Sequence, residues 1–145
     1  MLNLREFLTN REFYYVSPAM SVAETARYMS ERNIGAVCVI DGTRLVGILS
    51  ERDMMTRIVA AGRDPEKTTA AEVMTAKPII IQAKENCAEC SRVMKKAGIR
   101  HLPIVDGDKL LGMVSLRDLL QADIDDKEEE IKLMNDYIYY TPPNA

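Results

Sequence analysis

Hydrophobic and polar positions along this chain follow one pattern twice. The segment GAVCVIDGTRLVGILSERDMM (Gly35 to Met55) lies over RHLPIVDGDKLLGMVSLRDLL (Arg100 to Leu120) without a gap, at a constant offset of 65 residues that carries Gly47 onto Gly112 and Asp53 onto Asp118. The register holds upstream, pairing Ala23-Glu24 with Ala88-Glu89, Arg27 with Arg92, Met29 with Met94 and Ile34 with Ile99. Self-similarity at a fixed period marks an internal duplication.

Each copy predicts the same elements. A short β-rich run (Tyr14 to Ser17; Ile79 to Gln82) leads to a helix with apolar or small residues at helical spacing, Val22, Ala26 and Met29 in one copy and Cys87, Cys90, Met94 and Ala97 in the other. Two apolar runs around an Asp-Gly pair follow, a strong hairpin signal, and a second helix starts at once with SERDMM or SLRDLL. The order is β-α-β-β-α, twice. Between the copies the sequence predicts a helix end at Gly62, a turn through Asp64-Pro65 and a short helical turn carrying Val73 and Met74; a similar short helix, LREFL, precedes the first copy. The division is residues 1–68 for the first repeat with its N-terminal helix, 69–122 for the second, and 123–145 for an acidic helical tail. One repeat alone leaves a sheet face bare, so the expected fold is α+β, two pseudo-symmetric repeats packed sheet to sheet into one disc-like unit.

Composition narrows the function classes. With 145 residues and 47% hydrophobic content the chain can bury a core, but it is too short for a catalytic barrel of about 250 residues. A net charge of -3, from 22 acidic and 19 basic residues intermixed, offers no general attraction to nucleic acid. No stretch approaches the roughly 20 apolar residues of a membrane span, and MLNLREFLTNREFYY lacks the form of a signal peptide, so a soluble cytoplasmic protein is expected. Three cysteines do not form a disulfide framework and point to a reducing compartment.

The candidate chemistry lies in the repeated Gly-x-x-Ser-x-x-Asp element: Gly47, Ser50, Asp53 and Gly112, Ser115, Asp118. An isolated Ser-x-x-Asp at a helix start is a cap, its Ser accepting from a first-turn N–H and its Asp meeting the positive end of the dipole. Here the element recurs at equivalent strand-to-helix junctions facing the seam between repeats. A helix N-terminus suits a phosphate, the carboxylate can accept from both hydroxyls of a ribose, and a strand glycine allows close approach. The parts fit a nucleoside phosphate.

These elements, with the run Gly98-Ile99-Arg100-His101-Leu102-Pro103, the Asp-Gly hairpins and Glu72-Val73-Met74-Thr75, resemble paired cystathionine β-synthase (CBS) domains, the Bateman module, over about residues 12–121. The resemblance implies a tandem pair, commonly a homodimer, that binds AMP, ADP, ATP, S-adenosylmethionine or NAD in its clefts and regulates an effector protein. It implies that Ser115 and Asp118 hold the phosphate side and ribose in one cleft, with Ile99 and Leu102 against the base and Arg100 and His101 reaching the phosphate. Ser50 and Asp53 would serve the other cleft. Arg117, like its counterpart Arg52, is a solvated helix residue able to swing toward a phosphate. The counterparts of Arg100 and His101 in the first repeat are Gly35 and Ala36, which predicts unequal sites: an Asp118 cleft for phosphorylated ligands and a weaker Asp53 cleft.

Other motifs carry less. Cys87 and Cys90 form a C-x-x-C without a second pair or a neighbouring histidine; Val22 and Thr25 take their places in the first repeat, so they read as helix packing, as Cys38 reads as strand packing. His101 is the only histidine, and no serine has a base at constrained spacing, so neither a catalytic residue nor a metal site is expected. In the tail, Ile124, Ile131, Met134 and Ile138 form a stripe that, with Tyr137, Tyr139 and Tyr140, is expected to pack on the disc or on a second chain. The expected function is an adenine-nucleotide sensor signalling to a partner; the alternative is a constitutive homodimeric interaction module with vestigial clefts.

Overall fold

The computed structural model describes residues 3–139, and Tyr140 lies outside them. The elements run in the order α1 (Leu4–Leu8), β1 (Tyr15–Val16), α2 (Val22–Arg32), β2 (Ala36–Asp41), β3 (Arg44–Ser50), α3 (Glu51–Met54) continued by a π-helical turn (Met55–Val59), α4 (Ala70–Val73), β4 (Thr75–Ala76), β5 (Ile81–Gln82), α5 (Cys87–Ala97), β6 (His101–Asp106), β7 (Lys109–Ser115) and α6 (Leu116–Ile138). The fold is α+β, with one sheet per repeat. Sheet one has the order β1-β2-β3-β4 and sheet two β5-β6-β7.

The duplication extends to bond register. Ala36 pairs with Ser50 and His101 with Ser115, and both hairpins shift register at the same step, after Val39 and after Ile104. Gly42 and Gly107 turn the two hairpins with φ of 64° and 60°. Helices α2 and α5 start on Ser21 and Asn86, whose side chains accept from the N–H three residues on, and end on left-handed Asn33 and Gly98.

The two cores exchange their short helices. Leu4 and Phe7 of α1 are buried among Cys90, Met94, Leu102, Ile104 and Val114, which belong to the second repeat. Ala70 and Val73 of α4 are buried among Val16, Met29, Val37, Val39 and Leu49, which belong to the first. Each short helix thus covers the sheet of the repeat that it does not precede. A five-residue helix has no stability of its own, and burial of its apolar side against that sheet holds it in place. An Asn3–Glu6 capping box and an Arg5–Asp106 ion pair at 2.7 Å fix α1, while Ala70 N–H donates to the Met20 carbonyl at 2.8 Å to fix α4.

The exchange explains the strand glycines. A Cβ on Gly47 would stand 2.4 Å from Met74 Sδ and 2.9 Å from the Thr75 carbonyl oxygen; one on Gly112 would stand 2.6 Å from Leu8 Cδ2. The space expected for a ligand is taken by a side chain at the C-terminal end of each short helix, Leu8 of α1 and Met74 just after α4. Strand β4, which the sequence did not suggest, pairs with β3 at Gly47 and Ile48 as a result of the same approach.

Of the two packings expected for the tail, on the disc or on a second chain, the first is not adopted. Helix α6 continues unbroken from the second repeat, and Leu120, Ile124, Ile131, Met134 and Ile138 are exposed along it, so the stripe does not pack on its own disc. Its apolar positions fall outside the single turn, around Leu119, that reaches the core. No described helix is long and apolar enough to cross a membrane.

Gly47→Ala is expected to destabilise the protein by about 1–3 kcal/mol in urea denaturation, because a backbone carbonyl as well as Met74 must shift. Gly112→Ala should cost less, since its neighbour is the flexible end of Leu8.

Candidate functional site

Two clefts open along the seam, one against each Ser-x-x-Asp helix start. The first, about 690 Å³, is walled by Ser115, Arg117 and Asp118 of α6, by Ile34, Gly35 and Ala36 of the other repeat, and by the segment Arg11 to Tyr14. The second, about 860 Å³, is walled by Ser50, Arg52, Asp53, Thr75, Lys77, Pro78, Ile79 and Ile99. Gly35, Glu51, Arg100 and His101 border both, so the clefts meet near the pseudo-twofold axis. Both volumes lie within the range of small-molecule sites.

At each helix start the serine and aspartate form a reciprocal cap. The Ser115 N–H donates to Asp118 Oδ2 at 2.8 Å and the Asp118 N–H donates to Ser115 Oγ at 3.1 Å. Ser50 and Asp53 repeat this at 2.9 and 3.2 Å, with the Ser50 hydroxyl also donating to Asp53 Oδ2 at 3.0 Å. The capping role is therefore real, and it uses one carboxylate oxygen. The other, Oδ1, meets Arg11 Nη1 at 3.1 Å in Asp118 and lies 3.9 Å from Arg57 Nε in Asp53.

The clefts combine the expected residues differently from the sequence assignment. Ile99 lines the Asp53 cleft, not the Asp118 cleft. Leu102 is wholly buried in the second core, because alternation along β6 turns Leu102 and Ile104 toward the helices and His101 toward the seam. Arg100, His101 and Gly35 border both clefts, while Arg52 and Lys77 line the Asp53 cleft alone, so basic side chains are not confined to the Asp118 side. Arg11, Glu51 and Lys77 are cleft residues that the offset of 65 did not reveal. An offset of 66 over the short helices, laying Leu4, Phe7, Leu8 and Arg11 on Ala70, Val73, Met74 and Lys77, carries that signal.

Burial holds the His101 pKa below its ordinary value of 6.5, Asp118 and Glu51 pull it back up, and Arg100 adds to the depression. The imidazole is thus neutral at pH 7 and ready to gain a proton beside an added anion. Burial pushes the Cys38 thiol up to about 12 and the Cys90 thiol up to about 11, and it raises Cys87 as well, which keeps all three protonated and unreactive. Among the described residues no group of three or more metal-ligating side chains gathers.

The CBS domain family matches this chain twice, over residues 4–60 and 70–125. The chain is a member of the CBS domain family. Among its relatives, an uncharacterized protein of Methanopyrus kandleri is 32% identical over 86% of this chain and 66% of that protein. The CBS domain-containing protein CBSX3, mitochondrial, of Arabidopsis thaliana is 29% identical over 81% of this chain and 60% of its own length, so the chain spans less than two thirds of either relative. The CBS domain-containing protein YhcV of Bacillus subtilis is 38% identical over 72% of this chain and 74% of that protein. Of solved structures, a protein with CBS domains from Burkholderia ambifaria superposes with a TM-score of 0.81 at 32% identity, covering 86% of this chain and 96% of that one. CBSX2 in complex with AMP superposes with a TM-score of 0.73 at 23% identity, covering 88% and 99%. In this CBS pair both matches begin at a short helix, α1 or α4, that packs on the other match's sheet.

Because the folded state takes up the His101 proton only at lower pH than the unfolded chain, stability is full above about pH 6.5 and falls as pH drops through that value. Urea midpoints between about pH 7.5 and 5.5 should show this slope, and His101→Gln, which removes the only histidine, should flatten it.

Proposed function

We propose that this CBS pair is a regulatory module that binds an adenosine derivative in the seam, with a nucleotide such as AMP, ADP or ATP preferred to S-adenosylmethionine or NAD, and carries out no chemistry of its own. The supporting observation is the Asp118 cleft. A helix start, a serine hydroxyl and a carboxylate border a cavity of about 690 Å³ together with Arg100, His101 and Arg117. Donors for a phosphate and acceptors for a ribose diol thus stand at one mouth. CBSX2, which has this fold, is in complex with AMP. Ser50 and Asp53 repeat the arrangement in the second cleft beside Ile99, an apolar surface for a base. Binding at the seam reaches both repeats, and a ligand that fits one relative placement better than another shifts the population toward it, which is the signal an effector protein reads.

The bare stripe of α6 supports assembly with a second copy. Leu120, Ile124, Ile131, Met134 and Ile138 recur at spacings of four, seven, three and four, a two-heptad seam on one helix face, and a homodimer would bury it.

In a thermal-shift series, AMP at a hundred times its Kd should raise the Tm of the wild type by roughly 5–10 °C, and Asp118→Ala should lower the baseline Tm and remove most of that increment. A wild type unmoved by AMP, ADP, ATP, NAD and S-adenosylmethionine would leave the constitutive interaction module as the better account. In sedimentation, Ile131→Glu with Met134→Glu should shift the protein toward monomer; an unchanged sedimentation coefficient would show that α6 is not the contact.

A further inference from the structure

The two straps that carry the chain between the exchanged cores differ in one respect. Residues 9–14 run from α1, anchored in the second core, to β1 in the first sheet, and cross the mouth of the Asp118 cleft. From this strap Arg11 donates through Nη1 to Asp118 Oδ1 at 3.1 Å, while its guanidinium carbon lies 3.9 Å above the ring of buried Phe7. With Ser115 N–H on Oδ2, both oxygens of Asp118 are engaged. Asp53 has no such partner on its strap. Lys77 forms no ion pair among the described residues, and Arg57, which is 3.9 Å from Asp53 Oδ1, is held elsewhere by donating to the Val73 and Met74 carbonyls at 2.8 and 2.9 Å.

We infer that Arg11 is the specificity-determining residue of the Asp118 cleft: it masks the carboxylate that a ribose needs and yields it only to a ligand whose phosphate takes the guanidinium in exchange. This holds only if the cleft takes an adenosine derivative, as proposed above. A ribose diol brings two neutral donors, and these compete poorly with a charge-assisted bond. A phosphate brings more charge and two oxygens spaced for the guanidinium fork, so Arg11 can leave Asp118 without losing an anionic partner. Among the described residues Arg11 forms no second ion pair, so Asp118 is the one anion that it must give up. The other charges at this mouth do not substitute for it. Glu12 is engaged by the Tyr14 hydroxyl, and Arg100 and Arg117 line the cavity without bonding to Asp118. The cleft therefore accepts a phosphorylated adenosine and rejects the nucleoside, whereas the Asp53 cleft lacks this device.

Calorimetric titration of AMP and of adenosine tests this in an Asp53→Asn background, which silences the second cleft. AMP should bind at least tenfold more tightly than adenosine. Adding Arg11→Gln should bring the two affinities within about threefold of each other, through weaker AMP and tighter adenosine binding, and Arg11→Lys should restore part of the difference. A gain in adenosine affinity is the decisive readout, since structural damage from an exposed substitution would not produce it. If Arg11→Gln leaves the ratio unchanged, or weakens AMP with no gain for adenosine, the masking role is overturned while the nucleotide site stands. If neither compound binds the Asp53→Asn protein or the wild type, the nucleotide reading itself fails.

Discussion

The structure depends on an exchange of short helices between two equivalent cores. Each repeat supplies a small sheet and two helices, which leave part of an apolar face uncovered, and the cover comes from the four- or five-residue helix that precedes the other repeat. Neither short helix would persist alone, and neither core would be closed without it. Folding of the two halves is therefore coupled through burial. The same exchange forces the chain to cross the seam twice, placing residues 9–14 over one cleft and the Thr75 to Ile79 segment over the other. The clefts are the space left between two sheets held together by this crossing.

Within the clefts, one carboxylate oxygen of each aspartate closes the capping box and the other faces an arginine. Asp118 and Asp53 both close a capping box with one oxygen, an arrangement that orients the carboxylate relative to the helix axis and removes most of its rotational freedom. A preoriented acceptor beside the N–H groups of a helix start is a suitable platform for a sugar phosphate, because little side-chain entropy is left to lose on binding. The capping role of the aspartate is thus compatible with the ligand-binding role proposed for it. What separates the two sites is the second oxygen, held at 3.1 Å by a strap residue in one and left 3.9 Å from its nearest cation in the other.

Much of this was legible in the sequence because it recurs there. The offset of 65 brought out the two equivalent hairpins at Asp41-Gly42 and Asp106-Gly107, the caps at Ser50 and Ser115 and the packing of Cys87 and Cys90. Periodicity within a repeat says nothing about which repeat a short helix will cover, so the exchange of α1 and α4 was not legible, and neither was its consequence for Gly47 and Gly112. The glycines signalled close approach correctly but not its cause. Leu102 was misplaced because proximity to His101 in sequence was taken for a shared face, although neighbours on a strand point to opposite sides. The assignment of Ile99 to the Asp118 cleft failed for a related reason: each cleft is built from the helix start of one repeat and the strand entry of the other, a pairing that only the three-dimensional seam defines.

Helix α6 gives the asymmetry of the halves a physical meaning. In the first repeat the helix that starts at Ser50 breaks into a π-helical turn at Met55 and ends at Val59, so a change at Asp53 meets an irregular segment tied back to Val73 and Met74 through Arg57. In the second repeat the helix that starts at Ser115 runs without interruption to Ile138, a rod of about 1.5 Å per residue with its first turn at the cleft and its last turns carrying the exposed apolar stripe. A tilt imposed at the N-terminal end is magnified along such a rod, whereas the first repeat's helix is too short to carry it away from the cleft. Of the two helix starts, the one at Ser115 is therefore mechanically connected to a surface that another chain can touch, and it is also the one whose carboxylate is held by a residue from outside the helix.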